Sequence, residues 1–141
     1  MYKIEKMDIK EYDEIITLWE NTDGVGLSGN DDSKGSIKKF LSKNPDTCFV
    51  AKDKNEIIGT IMAGSDGRRG HIYHLMVAPY YRQRGIGRKL LEQAENGLQR
   101  QGITKAFLVV FKDNYLGNGF WKEVQYEIRE DLYYRDKRLM D

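Results

Sequence analysis

The chain has one cysteine among its 141 residues, Cys48, so no intrachain disulfide can form, which fits a reducing compartment. It has no apolar run approaching the length that crosses a bilayer. Its first residues are polar and charged, without the apolar core of a secretory leader. Nor does one sign of charge dominate: 23 Lys and Arg stand against 22 Asp and Glu, a net charge of +1. No global field therefore argues for nucleic acid or a membrane surface as a partner. Repeats, low-complexity tracts and linkers are absent as well. Residues 1–141 are expected to form a single domain, large enough to bury a core without staples, and the expected location is the cytoplasm.

What is present is an alternation of periodic segments. Residues 2–7 read as a strand. Asp8 stands three residues before Glu11, an acidic form of the capping box, and Ile9, Tyr12, Ile15, Ile16 and Trp19 follow at helical spacing. Residues 23–33, with three glycines and three aspartates, lose all periodicity and read as a mobile loop. Ser33 is placed to cap a second helix, which Asn44-Pro45 ends. Residues 47–52 and 57–63 read as a hairpin, with Gly59 marking a bulge. Cys48 falls in the first of these strands with no base beside it, so a core role is expected. Residues 71–77 are apolar on both faces, with Ile72, His74 and Met76 on one and Tyr73, Leu75 and Val77 on the other, as a central strand requires. A helix with Ile86, Leu90, Leu91, Ala94 and Leu98 on one face follows and ends at Gly102. Then come a strand at 105–111, a short helix at 117–123, and strands at 125–130 and 132–138. The unit strand–helix–strand from 71 to 111 is a crossover, so its two strands should be parallel.

The stretch Met76–Leu91 organises the rest. It leaves a strand, turns through Pro79 and a basic, glycine-containing loop, and enters a helix at about Gly85. A helix start presents unpaired N–H groups and partial positive charge, and Arg82, Arg84, Arg88 and Lys89 add full charge there. Such a place suits a phosphate or pyrophosphate. The P-loop is excluded, because only Ile86 separates Gly85 from Gly87 and no Lys-Ser/Thr follows. The dinucleotide fingerprint is excluded because Leu90 stands at its third glycine.

The residues Arg82-Gln83-Arg84-Gly85-Ile86-Gly87, with Leu75-Met76-Val77 and Pro79 before them and Leu90-Leu91 after, resemble the pyrophosphate loop of the GNAT superfamily of N-acetyltransferases. The resemblance extends over nearly the whole chain and is closest to small bacterial single-domain members. It implies an α/β (α+β) fold, with a central mixed, mostly antiparallel sheet of about seven strands flanked by about four helices. It implies that the two central strands splay apart and admit the pantetheine arm of acetyl-CoA. On the cofactor side it implies backbone groups of Val77 for that arm, and Arg82, Arg84, Gly85, Ile86, Gly87 and Arg88 around the pyrophosphate. Asn114 matches a position that commonly bonds the arm, and a turn role is the competing reading. Dimerisation is common in the family, often through the terminal strands, so a homodimer is possible.

Acetyl transfer to an amine needs a base for the acceptor, donors for the oxyanion, and a leaving thiolate. Many relatives carry a glutamate on the strand equivalent to 71–77. This strand has no acid but holds both histidines of the chain, His71 and His74. Histidine titrates in the useful range, and His74 lies nearer the cofactor end. Tyr73 and Asp66 are further candidates for the acceptor side, and water relays are an alternative. The acidic residues of the 23–33 loop would favour a cationic amine; a solvated loop is the plainer reading. The family often has a tyrosine acid in its last helix. Trp121 stands there, and an indole cannot transfer a proton at neutral pH. Trp121 is therefore expected to pack on the cofactor arm or the core. Tyr115 and Tyr126 are substitutes only by proximity in sequence, and the thiolate can leave unassisted.

Three functions remain in competition. The first is an acetyl-CoA-dependent N-acetyltransferase acting on a small-molecule or peptide amine by direct attack in a ternary complex, with no metal. The second is a non-catalytic acyl-CoA-binding or sensing module, and the third a nucleotide-binding protein.

Overall fold

A computed structural model describes residues 1–140, all but the last residue of the expected domain. Five strands form one sheet: β1 (Lys3–Lys6), β2 (Phe49–Asp53), β3 (Glu56–Ser65), β4 (Gly70–Val77) and β5 (Ala106–Phe107). They lie in sequence order, the first four antiparallel and β5 parallel to β4. Helices α1 (Tyr12–Glu20) and α2 (Lys34–Lys43) cover one face, and α3 (Ile86–Arg100) covers the other. The helix α4 (Tyr115–Glu123) lies beyond β5 in the chain.

Local chemistry explains the boundaries. Asp8 accepts a hydrogen bond from the Lys10 N–H and opens a 3-10 turn that runs into α1. Ser33 Oγ accepts from the Ser36 N–H at the start of α2. Gly102, at φ +81°, turns the chain out of α3 in a conformation that other residues rarely adopt. The apolar stripes of α1 and α3 face the sheet, with Ile15 and Trp19 buried on one side and Ile86, Leu90, Leu91, Ala94 and Leu98 on the other. Cys48 is buried in the α1/α2 layer, where burial pushes its thiol up to about 12.

The expected seven strands become five. Of the run 105–111 only Ala106–Phe107 pairs with β4, and residues 125–130 and 132–138 join no ladder among the described residues. A strand needs a partner edge, and the backbone of 108–111 has diverged from the sheet before it can offer one.

Two bulges set the side-chain directions. Gly59 pairs with Ala51 but Ile57 pairs with Lys52, so Ile58 is an extra residue beside the expected Gly59. In β4, Met76 pairs with Thr60 and Tyr73 with Met62, so two residues of β4 oppose Ile61 alone. Ile61 and Leu75 both pack on the α3 side, which leaves His74 as the extra residue. This corrects the expected alternation. Ile72 and Met76, read as sharing a face, lie on opposite faces, Ile72 under α3 and Met76 under α1 and α2.

Candidate active site

Beyond the His71–Phe107 pair the ladder between β4 and β5 stops, and a cleft of about 390 Å³ opens between the strands. Residues Ile72, Tyr73, His74 and Leu75 form one wall and Leu108–Phe111 the other. The loop Gly24–Gly26, Asn114, Trp121 and Tyr134 complete it. The expected splay of the central strands is therefore present, and the bulge at His74 lies on its β4 wall.

His74 is held from several directions. Its φ of +46° is the left-handed region, which costs a non-glycine residue roughly 1–2 kcal/mol. Its carbonyl accepts from Thr60 Oγ1 at 2.9 Å, and that hydroxyl accepts from Trp19 Nε1 at 2.9 Å. The Trp19 indole packs on the imidazole with ring centroids 4.4 Å apart. Its Nε2 lies 2.8 Å from Asp32 Oδ1. A carboxylate only accepts, so Nε2 carries the hydrogen and Nδ1 of the neutral ring keeps its lone pair.

Asp32 is the residue that sequence reasoning did not single out. Its exposure is only 7%, and its other oxygen accepts from the Ser28 N–H at 2.8 Å. The Tyr12 hydroxyl donates to its carbonyl at 2.6 Å. Burial acts to raise its carboxyl, but the bonds to His74 and Ser28 outweigh it and hold the group below the usual range. The loop carries three aspartates with no periodicity to rank them, and no sequence signal marked this one.

The other candidates divide clearly. Tyr73 stands beside His74 on the cleft wall, and burial first, then Asp31 and Tyr134, push its phenol up. His71 stacks on Tyr73 at 4.0 Å and on Phe107 at 4.4 Å; its Nε2 is buried without a partner, and burial lowers its pKa. Asp66 is occupied in its own turn by the N–H groups of Arg68 and Arg69. Tyr126 donates to Glu95 at 2.8 Å, and burial and that carboxylate raise its pKa. Tyr115 is exposed outside the cleft lining. Trp121 lines the cleft and packs edge-on against Phe120 and Tyr126. Asn114 both caps α4, accepting from the Gly117 N–H, and lines the cleft beside Gly24.

The basic loop follows β4 directly. Gln83 and Gly85 take φ of +62° and +80°, and α3 begins at Ile86 without a side-chain cap. Among the described residues, the N–H groups of Ile86, Gly87 and Arg88 find no acceptor; the Gly85 carbonyl is taken by Lys89. Ile86 is buried, so it can offer a ligand its backbone alone. A side-chain atom built at Gly85 would meet nothing within 4 Å, and one at Gly87 meets only ordinary contacts. The space is open for a ligand. Arg82 Nε donates to the Val77 carbonyl at 3.0 Å, Arg84 lies over the Tyr80 and Tyr81 rings, and Arg88 reaches Glu123 at 3.3 Å. Among the described residues no group of three His, Cys, Asp or Glu is placed to hold a metal, and no helix is long and apolar enough to cross a membrane.

The comparisons with known proteins agree with this geometry. The acetyltransferase (GNAT) family matches residues 12–125. An acetyltransferase of Sodalis glossinidius is 36% identical over 131 residues, 93% of this chain and 91% of that protein. The fold is shared with an N-acetyltransferase of Thermoplasma acidophilum in complex with coenzyme A, at TM-score 0.78 and 20% identity over 92% of this chain and 91% of that one. It is shared too with a Clostridium acetobutylicum protein described as a predicted acetyltransferase with acetyl-CoA, at TM-score 0.73 and 20% identity over 96% of each chain. With its splayed β4 and β5, its open α3 start and a family match that covers most of its length, this chain belongs to the acetyltransferase (GNAT) family.

Proposed function

We propose that the protein transfers an acetyl group from acetyl-CoA to a primary amine, by direct attack with both substrates bound. The observation that supports this most is the cleft, because its wall carries a hydrogen-bonded histidine on the strand that leads into an open helix start suited to a phosphate. The free N–H groups at Ile86, Gly87 and Arg88, the open space at Gly85 and the positive charge of Arg82, Arg84 and Arg88 suit a pyrophosphate. The gap beyond β4, lined by Leu75, Asn114 and Trp121, suits an extended pantetheine arm. Acetyl-CoA supplies the thioester; everything else falls to the chain.

An ammonium group must lose a proton before it can attack. His74 Nδ1 is the acceptor for that proton, and Asp32 fixes the tautomer and stabilises the imidazolium that results. Tyr73 beside it positions the acceptor. The acceptor is a small-molecule or peptide amine, and no metal takes part. With Trp121 in place of a tyrosine and Tyr126 committed to Glu95, neither position supplies an acid for the thiolate, and the phenols on the cleft wall are Tyr73 and Tyr134. A thiol of pKa near ~8.5 leaves without one.

That same lack favours a second reading, a module that binds acyl-CoA without turnover. Release of free thiol from acetyl-CoA against a panel of amines separates the two. Turnover stimulated by an amine, abolished by Gly85→Asp through loss of CoA binding and by His74→Gln with CoA binding retained, supports the enzyme. Tight CoA binding with no amine acetylated supports the module. Failure to bind CoA sinks both.

A further inference from the structure

The bulge in β4 turns two neighbouring side chains toward the helices on one face of the sheet. Tyr73 meets Phe40 of α2 edge-on at 5.7 Å, and His74 meets Trp19 of α1 at 4.4 Å. The Tyr73 and His74 rings stand 6.5 Å apart. On its other side the aromatic surface goes on. His71 stacks on Tyr73 at 4.0 Å with 17° between the planes, and Phe107 of β5 lies 4.4 Å from His71. The His71 imidazole is a neutral plate in this row. Burial lowers its pKa, and its Nε2 bonds nothing in the protein, so what the ring supplies there is flat surface. The row ends at Tyr73, which is 39% exposed and forms part of the cleft wall.

We infer that the row Phe107–His71–Tyr73 is a specificity shelf for the acceptor, and that it selects an amine carrying a flat aromatic ring on a short linker. The inference rests on the acetyl-transfer reading above and adds the class of acceptor. With its nitrogen at His74, such an amine lays its ring against Tyr73 and extends the stack by one plate. Offset or edge-on ring pairs gain energy beyond the apolar area that they bury. Charge points the same way. The cleft lining carries no Asp, Glu, Lys or Arg among the described residues. Asp32 is taken up by His74 and Ser28, so Asp31 is the carboxylate of the acidic loop that bears on Tyr73. One carboxylate suits the single ammonium of an arylalkylamine. A polyamine would leave its further charges in an apolar cleft without partners. Tyr73 is the side chain that touches the acceptor; His71 acts through it and is a positioning residue.

The test compares phenethylamine with cyclohexylethylamine, which share amine and linker and differ in a flat against a puckered ring, and with spermidine. With acetyl-CoA saturating, kcat/KM for phenethylamine should exceed that for cyclohexylethylamine about three- to tenfold, and that for spermidine by more. Tyr73→Leu should erase the ring preference, and Tyr73→Phe should keep it. His71→Leu should raise the KM for phenethylamine with kcat little changed. Equal rates for the two rings, or a preference for spermidine, overturn the inference and leave acetyl transfer standing. Should no amine be acetylated, calorimetric binding of the same amines to the full chain with CoA present decides. Tighter binding of phenethylamine, lost in Tyr73→Leu, supports the shelf while acetyl transfer falls; equal or absent binding overturns the shelf. Should Tyr73→Leu fail to fold, the preference of the wild type and its decline in His71→Leu decide in its place.

Discussion

His74 occupies a backbone angle that histidine rarely takes and spends its Nε2 on a buried carboxylate. Both features restrict it to one tautomer and one direction. If it is the base, His74→Gln should lower kcat by about 10²–10⁴, with the KM for acetyl-CoA little changed. Asp32→Asn should lower kcat less, with the KM for acetyl-CoA little changed, because the imidazolium that forms loses its counter-charge. Asp32 also has a pH signature of its own. Its folded pKa is depressed, so its stabilisation is complete above about pH 4 and is lost as pH falls through the folded value. Denaturant midpoints of wild type and Asp32→Asn should therefore converge as pH drops. Cys48 has the opposite sign. Its thiol is raised to about 12 against an ordinary 9.0, so stability should fall between pH 9 and 12, where the unfolded thiol ionises and the folded one cannot. Native protein should show no thiol to an aromatic disulfide reagent, and denatured protein one.

At the scale of elements, much was legible in the sequence. The stripe from Ile86 to Leu98 and the Ser33 cap follow from local chemistry and are where they were expected, and the β3 bulge falls one residue away, at Ile58 beside Gly59. The extra residue in β4 was not legible. A bulge inserts no marker of its own, and His71–Val77 reads equally well as a regular alternating strand. With the bulge unseen, the faces of Ile72 and Met76 were paired wrongly, and the meeting of His74 with a loop residue 42 positions away could not be anticipated. The candidate cofactor loop was legible because its glycines and basic residues are contiguous. The terminal strands were misjudged because pattern shows what can pair and says nothing of whether a partner is there. Packing between elements makes one sharp prediction. A methyl added at Gly97 on α3 would lie 2.6 Å from the Asp46 carbonyl and 2.9 Å from Thr47 Cγ2. Backbone cannot step aside as a flexible side chain can, so Gly97→Ala should cost about 1–3 kcal/mol in a denaturant titration despite its better helix propensity.

For the whole molecule, the sheet is a single body with helices on both faces and one seam where two strands part. A ligand that fills the seam and caps α3 binds the folded chain only, so acetyl-CoA should raise the melting temperature. At a hundredfold excess over Kd the gain is about 2.7 kcal/mol, which for a chain of this size is on the order of 5–10 °C. ATP or NAD at equal concentration should give a much smaller shift, and an equal one would count against acetyl-CoA as the natural ligand.

The cleft comes down to a matter of parity. Three residues of β3, from Thr60 to Met62, face four of β4, from Tyr73 to Met76. Remove His74 from the chain and the count becomes even: Leu75 would meet Ile61 on the side it already occupies, and the registers above and below would not change. Such a deletion should therefore zip β3 and β4 into an unbroken ladder, at the cost of the contacts His74 makes with Trp19 and Asp32. One codon thus separates a plain β3–β4 ladder from a bulged one, and the residue that codon specifies is the one that meets Asp32 on the wall of the seam.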